Sequence, residues 1–210
     1  MTARLLAALA CVAACVLGSA ILLAQDGMRA TTQDGRKVIL KPDGTWSYEG
    51  GDSALTRAVP QRAPAGATAT ETFSRGNFRL RYNDRKWVMQ KEPDGTKWRL
   101  VLKGEDAQAI VIPEGFSATT NAMKQIALDN LHKAASESKI VKEEIRKVNG
   151  RDVLYMQIDA SLKEIFFSYY YYIYGDKQGV IQVIAFTTPA KQAVYEADIF
   201  DLLNGLEVIR

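Results

Sequence analysis

The run Ile165-Phe166-Phe167-Ser168-Tyr169-Tyr170-Tyr171-Tyr172-Ile173-Tyr174 limits what this 210-residue chain can fold into more than any other stretch. Successive side chains of a strand point to opposite faces. One face therefore holds Ile165, Phe167, Tyr169, Tyr171 and Ile173, and the other holds Phe166, Ser168, Tyr170, Tyr172 and Tyr174. Both faces are bulky, so the strand belongs near the centre of a sheet covered on both sides. A buried phenol must find a partner, since each unmet hydroxyl costs about 1–3 kcal/mol. Two readings stay open at this point. Either the run is a two-sided core with hydroxyls at its rim, or Tyr170, Tyr172 and Tyr174 line a groove for a ligand or partner.

The flanking sequence supplies hairpins. Asn149-Gly150 separates strand-like runs at 139–148 and 151–160, and Asn-Gly is the strongest short hairpin signal. The aromatic run meets Val180–Thr187 across a turn from Gly175 to Gly179. Phe78, Leu80 and Tyr82 alternate with Arg79 and Arg81. Residues 98–102 and 109–112 read as a further hairpin. Helical spacing appears twice. Met123, Ile126, Ala127, Leu131 and Ala134 mark a helix over 119–136, with Lys124, Asp129 and Lys133 expected outward. Tyr195, Ile199 and Leu202 mark a second helix after Pro189, closed by Asn204-Gly205. Hairpin-joined strands with isolated helices predict an antiparallel α+β domain.

The first 24 residues have the order of an export signal: Arg4, an uncharged apolar run from Leu5 to Ala24, then polar Gln25-Asp26. Three fates are open: cleavage after Ala24, retention as an anchor, or lipidation at Cys15 in Val12-Ala13-Ala14-Cys15. Each predicts an extracytoplasmic protein, either periplasmic or secreted, or else anchored and facing outward. The only two cysteines lie in this segment, so cleavage leaves a domain with no disulfide, thiol nucleophile or cysteine metal site. Net charge is +3, which gives no electrostatic footprint for nucleic acid. Residues 28–50 then predict a β-hairpin with strands at Val38–Leu40 and Trp46–Tyr48. Residues 51–71, rich in Pro and small residues, predict a linker, and 72–210 the main domain.

Two stretches resemble known families. Asp34-Gly35-Arg36-Lys37-Val38-Ile39-Leu40 followed by Asp43-Gly44-Thr45-Trp46-Ser47-Tyr48 resembles a DGTW segment near the mature N-terminus of many bacterial envelope proteins, which lends no chemistry. Gly76-Asn77-Phe78-Arg79-Leu80-Arg81-Tyr82 with Trp87 resembles the opening of the Mog1/PsbP-like group, with Asn83 where that group usually has Pro. The order of elements over about 73–210 continues the likeness, down to Thr187-Thr188-Pro189 before the last helix. It implies an antiparallel β-sheet sandwiched by helices, in a group of mostly non-enzymatic accessory or binding proteins. No catalytic residues carry over.

The residues themselves offer little chemistry. His132 is the only histidine, and with no partner ligands it reads as a surface helix residue. Asp43-Gly44-Thr45 and Asp94-Gly95-Thr96 lack the oxygen spacing and terminal Glu of a calcium loop, and read as turns. Glu143-Glu144 among lysines and Arg146 reads as a solvated mixed-charge face. No Gly-rich phosphate cradle or G-x-S-x-G is present. No catalytic, metal or cofactor residues are therefore expected. The expectation is a non-catalytic envelope protein that binds an unidentified envelope protein as an accessory module, touching membrane only through its N-terminal segment. The alternative is a small-ligand or lipid carrier with a pocket between sheet and helix, walled by the tyrosine-rich strand.

Overall fold

The computed structural model describes residues 28–31, 37–40, 46–48, 59–62, 64 and 66–209. The signal-like segment 1–24, Cys15 included, lies outside the described residues. The chain divides into two units, Met1–Ala54 and Leu55–Arg210. In the first unit, β1 (Met28–Thr31), β2 (Lys37–Leu40) and β3 (Trp46–Tyr48) form an antiparallel sheet in that order. Leu40 lies opposite both Met28 and Trp46, so the expected hairpin gains a third strand.

The second unit is built on an eight-stranded sheet. Its strands are β4 (Val59–Pro60), β7 (Trp87–Lys91), β8 (Trp98–Leu102), β9 (Gln108–Glu114), β10 (Glu137–Val148), β11 (Arg151–Leu162), β12 (Ile165–Gly175) and β13 (Val180–Thr187). They lie in the order β4-β10-β11-β12-β13-β9-β8-β7. Only β4 runs parallel to its neighbour, pairing with Arg146–Lys147 at the edge. It sits inside the stretch read as a linker, and Pro60 is tolerated there because an edge strand has one side free of ladder bonds. Asn149 (φ 45°) and Gly150 (φ 81°) make the predicted turn between β10 and β11. Lys163 (φ 48°) and Glu164 (φ 66°) turn β11 into β12 in the same left-handed region without a glycine.

A second antiparallel sheet, in the order β14-β6-β5, joins β5 (Ala69–Thr72), β6 (Phe78–Tyr82) and β14 (Leu206–Val208). β14 can lie against β6 because Gly205 has no side chain. A Cβ there would sit 1.8 Å from the Arg81 carbonyl oxygen, whose own residue's N–H donates to Gly205 O. Among the described residues two α-helices complete the unit: α1 (Thr120–Ala134) and α2 (Gln192–Leu203).

The expectation of an α+β sheet sandwiched by helices is overturned, because strands make most of the structure and the two helices are short. The reason is geometric. Eight strands about 4.8 Å apart make a sheet about 34 Å across, while one helix is about 10 Å wide. One face of the large sheet is therefore covered by α2 together with the small sheet. Phe78, Leu80, Tyr195, Ile199, Leu202 and Leu206 share one buried cluster there with Trp98, Leu100, Tyr172 and Val183. Among the described residues the helix on the other face is α1, which packs on β10, β11 and β12. Its Met123, Ala127 and Leu131, at i, i+4 and i+8, meet Leu154, Met156, Ile158 and Tyr171. Burying the Met123 and Leu131 side chains stabilises the unit by about 1.5–3 kcal/mol each.

Candidate functional site: an open sheet face

Strand β12 separates its faces as its sequence dictates. Tyr170, Tyr172 and Tyr174 enter the cluster under α2 and the small sheet, while Tyr169, Tyr171 and Ile173 enter the cluster under α1. The three tyrosines considered for a groove are core residues, exposed by 1 %, 0 % and 9 %. Sequence alone could not show this, because the cover comes from α2, twenty and more residues along the chain. Tyr172 donates to Asn204 Oδ1 at 2.8 Å and accepts from Arg146 at 3.2 Å. Tyr174 donates to Asp176 Oδ2 at 2.9 Å. Rings of Tyr155, Tyr170 and Phe200 stack edge to face, with centroids 5.7–5.8 Å apart. The space between sheet and α2, where a carrier's ligand would sit, is occupied by these side chains.

The buried network centres on Arg146. Its guanidinium lies 3.5 Å from the Tyr155 ring centroid and 4.6 Å from that of Phe200, and its Nε donates to Glu144 at 2.7 Å. Burial works against the charge, but the bonds to Tyr172 and Glu144 outweigh it and hold the Arg146 pKa above its ordinary value. For Glu144, burial would raise the pKa, yet the bonds from Arg146 and Lys142 prevail and lower it. The bonds from Arg146 to Tyr172 and Glu144, with Tyr172 bonded to Asn204, tie the sheet to the end of α2.

The remaining residues singled out in the sequence are dispersed. His132 is exposed in the last turn of α1. Asp94 accepts from Thr96 N–H at 2.9 Å in a turn. Lys124, expected outward, is buried and bonds Glu143 at 2.6 Å, so Glu143 is an anchor for α1 and not a solvated strand residue. Among the described residues no three His, Cys, Asp or Glu side chains gather at metal-binding spacing. Nor is any helix among them long and apolar enough to cross a membrane.

What the sequence reading missed is the uncovered half of the α1 face. Beyond β12 this face continues over β13, β9, β8 and β7. The registers Val88↔Val101, Ile110↔Ile184 and Gln108↔Phe186 place Val88, Val101, Ile110, Ile112, Ile184 and Phe186 on it. Val88 is 39 % exposed and the other five are half-buried. Among the described residues no helix packs over them. Arg99, opposite Ile110 and paired with Glu92 at 3.3 Å, interrupts the apolar surface. Beside it lies a shallow cleft of about 410 Å³ lined by Glu92, Asp94, Lys97 and Ile110. At the inner border Phe186 meets Phe167 and Tyr169, with centroids 5.8 and 5.5 Å apart. A signal was present in the sequence: strands 98–102 and 109–112 carry apolar residues on both faces, and the two helices at 120–134 and 192–203 do not span the sheet.

No family model and no curated protein matches the chain. A solved structure does. Cyanobacterial PsbP (CyanoP) from Synechocystis sp. PCC 6803 superposes with a TM-score of 0.52 at 9 % identity, over 68 % of this chain and 93 % of that one. The fold is PsbP-like. The PsbP likeness reaches the coarse part of the sequence-based resemblance, while the DGTW resemblance gains no support from it. A Bacteroides thetaiotaomicron protein (TM-score 0.45, 13 % identity, covering 67 % of this chain and 48 % of that one) is more distant. So is a Pseudomonas aeruginosa protein of unknown function described as a putative regulator (0.41, 11 %, covering 59 % and 97 %).

Proposed function

We propose that this chain is an exported, non-catalytic accessory module that binds a protein partner outside the cytoplasm. The observation carrying the reading is the open half of the α1 face, where Val88, Val101, Ile110, Ile112, Ile184 and Phe186 on β7, β8, β9 and β13 are interleaved with Gln90, Arg99, Gln108 and Gln182. Partly exposed apolar side chains gathered on one sheet face are candidates for an interaction site, and a mixture of apolar and polar groups is the usual composition of a protein interface. Export rests on the order of charge and hydropathy in residues 1–24. The PsbP-like fold agrees with an accessory role without fixing a partner.

The test compares two forms of the exported chain in native envelope extract, the wild type and the double variant Ile110→Asp/Ile184→Asp. A protein retained by the wild type and released by the variant, with both forms showing the same near-UV circular dichroism, supports the reading. Equal retention by both forms, or none by either, would sink it.

A further inference from the structure

Asn-Gly occurs twice in the chain, at 149–150 and 204–205, and the fold brings both pairs to one corner. The side-chain nitrogen of Asn149, in the turn between β10 and β11, donates to the carbonyl oxygens of Asn204 at 2.9 Å and Leu206 at 2.8 Å. A carboxamide has two N–H donors, and both are used here. Through them the turn of the large sheet is fastened to the end of α2 and to β14 of the small sheet. Asn204 is held from its other side by the Tyr172 hydroxyl at 2.8 Å.

An asparagine before a glycine can react with its own backbone. The glycine nitrogen, with no Cβ beside it to hinder the approach, adds to the asparagine Cγ. The bond from Cγ to Nδ2 breaks, and the nitrogen leaves as ammonia with the glycine's former proton. Water then opens the five-membered imide at either carbonyl, giving aspartate or isoaspartate. The two pairs differ in access to this chemistry. Gly150 is exposed, and its N–H has no hydrogen-bond partner among the described residues. At the second pair Asn204 is buried, and the Gly205 N–H donates to Leu202 O at 3.0 Å. That glycine is also packed against the Arg81 carbonyl, which leaves its backbone no room to turn.

We infer that Asn149 is a site of spontaneous deamidation, with water as the co-reactant, and that its conversion unfastens α2 and the small sheet from the β10–β11 turn. The product is a carboxylate, which accepts hydrogen bonds and donates none. It would face the Asn204 and Leu206 carbonyl oxygens, which lose their donors and meet a negative charge instead. Opening of the imide at the backbone carbonyl also inserts a methylene into the chain. The two-residue turn that sets Val148 opposite Arg151 has no slack for it. Before conversion the same two hydrogen bonds hold the nitrogen that must leave, so the folded chain reacts more slowly than the unfolded one.

The experiment incubates the exported chain at mildly alkaline pH, in buffer and in urea, and locates aspartate and isoaspartate by peptide mass spectrometry. In urea, Asn149 and Asn204 should convert at comparable rates. In buffer, Asn149 should convert more slowly than in urea, yet at least about tenfold faster than Asn204. Conversion of Asn149 no faster than that of Asn204 in buffer overturns the site. Equal rates for Asn149 in buffer and urea overturn the hold of its two hydrogen bonds. The consequence is read separately on two variants, by hydrogen exchange of the β6 and β14 amides. Asn149→Asp introduces the product carboxylate, while Asn149→Gly fits the left-handed turn and removes the carboxamide without adding charge. Exchange at neutral pH should be faster than in the wild type for both, and fastest for Asn149→Asp. Wild-type exchange in Asn149→Asp, or faster exchange in Asn149→Gly than in Asn149→Asp, overturns the unfastening by the carboxylate.

Discussion

Arg146 donates to the Tyr172 hydroxyl at 3.2 Å inside the core, and that hydroxyl donates in turn to Asn204 at the end of α2. One phenol therefore ties the sheet to the helix that covers it. Tyr172→Phe keeps the ring and removes the bond, leaving Asn204 Oδ1 and one guanidinium N–H without this partner in a buried site. The expected loss is about 1–3 kcal/mol, measured as a lower urea midpoint with unchanged slope. An unaltered midpoint would show that the bond contributes nothing net.

Buried phenols predict a response to alkali. Burial raises the pKa of Tyr155, Tyr169, Tyr171, Tyr172 and Tyr174, and burial with nearby Glu196 and Asp159 pushes Tyr170 up to about 12. The folded state therefore holds these protons at pH values where the unfolded chain, with ordinary phenols near 10, releases them. Stability from this source is fully present below about pH 10 and is lost as pH climbs toward 12. Absorbance at 295 nm should rise in one cooperative step together with loss of circular dichroism. A gradual titration centred near 10 with the fold intact would contradict it.

Lys124 and Glu143 form an ion pair at 2.6 Å between α1 and β10, with both side chains largely withdrawn from water. Lys124→Met alone strands the carboxylate and is expected to cost about 3 kcal/mol. The double variant Lys124→Met/Glu143→Leu removes both charges and should recover most of that loss or exceed the wild type. Denaturant titration of the two forms decides it. A double variant as weak as the single one would mean the pair is stabilising in its own right.

The turn Lys163-Glu164 holds two side-chain-bearing residues at positive φ. Replacing it with Asn-Gly, the pair used at 149–150, should relieve that strain. The expected gain is about 1 kcal/mol, seen as a higher melting temperature. No change in the melting temperature would place the cost of this turn elsewhere.

Acid has its own target in Glu144, whose pKa lies below the ordinary 4.5 because the bonds from Arg146 and Lys142 outweigh its burial. Its contribution is present above about pH 4.5 and disappears as pH falls through the lowered value. Glu144→Gln should flatten that part of the stability profile below about pH 4.5, while an equal acid slope in both forms would assign the loss to other carboxylates.

Much of the fold is legible in the order of residues. The Asn149-Gly150 turn, the long strands on either side of it, both helices and the two-faced character of β12 follow from local rules: period 2 for strands, period 3.6 for helices, and left-handed turns at Asn-Gly. The short strand at 59–60 is not legible, because its pairing partner lies more than eighty residues away and its own composition is that of a linker. Lys124 is misread for a similar reason. Its outward place on a helical wheel says nothing of Glu143 waiting across the interface.

The sequence alone determined which side chains share a face, since alternation along a strand is a property of the backbone. It could not determine which face is covered, since cover depends on how many elements reach each side of a sheet eight strands wide. Tertiary structure decided that α2 and a second sheet bury Tyr170, Tyr172 and Tyr174, while α1 is too narrow to reach Val88, Val101 and Ile110. The surface on which a function can be argued is what that mismatch in width leaves bare.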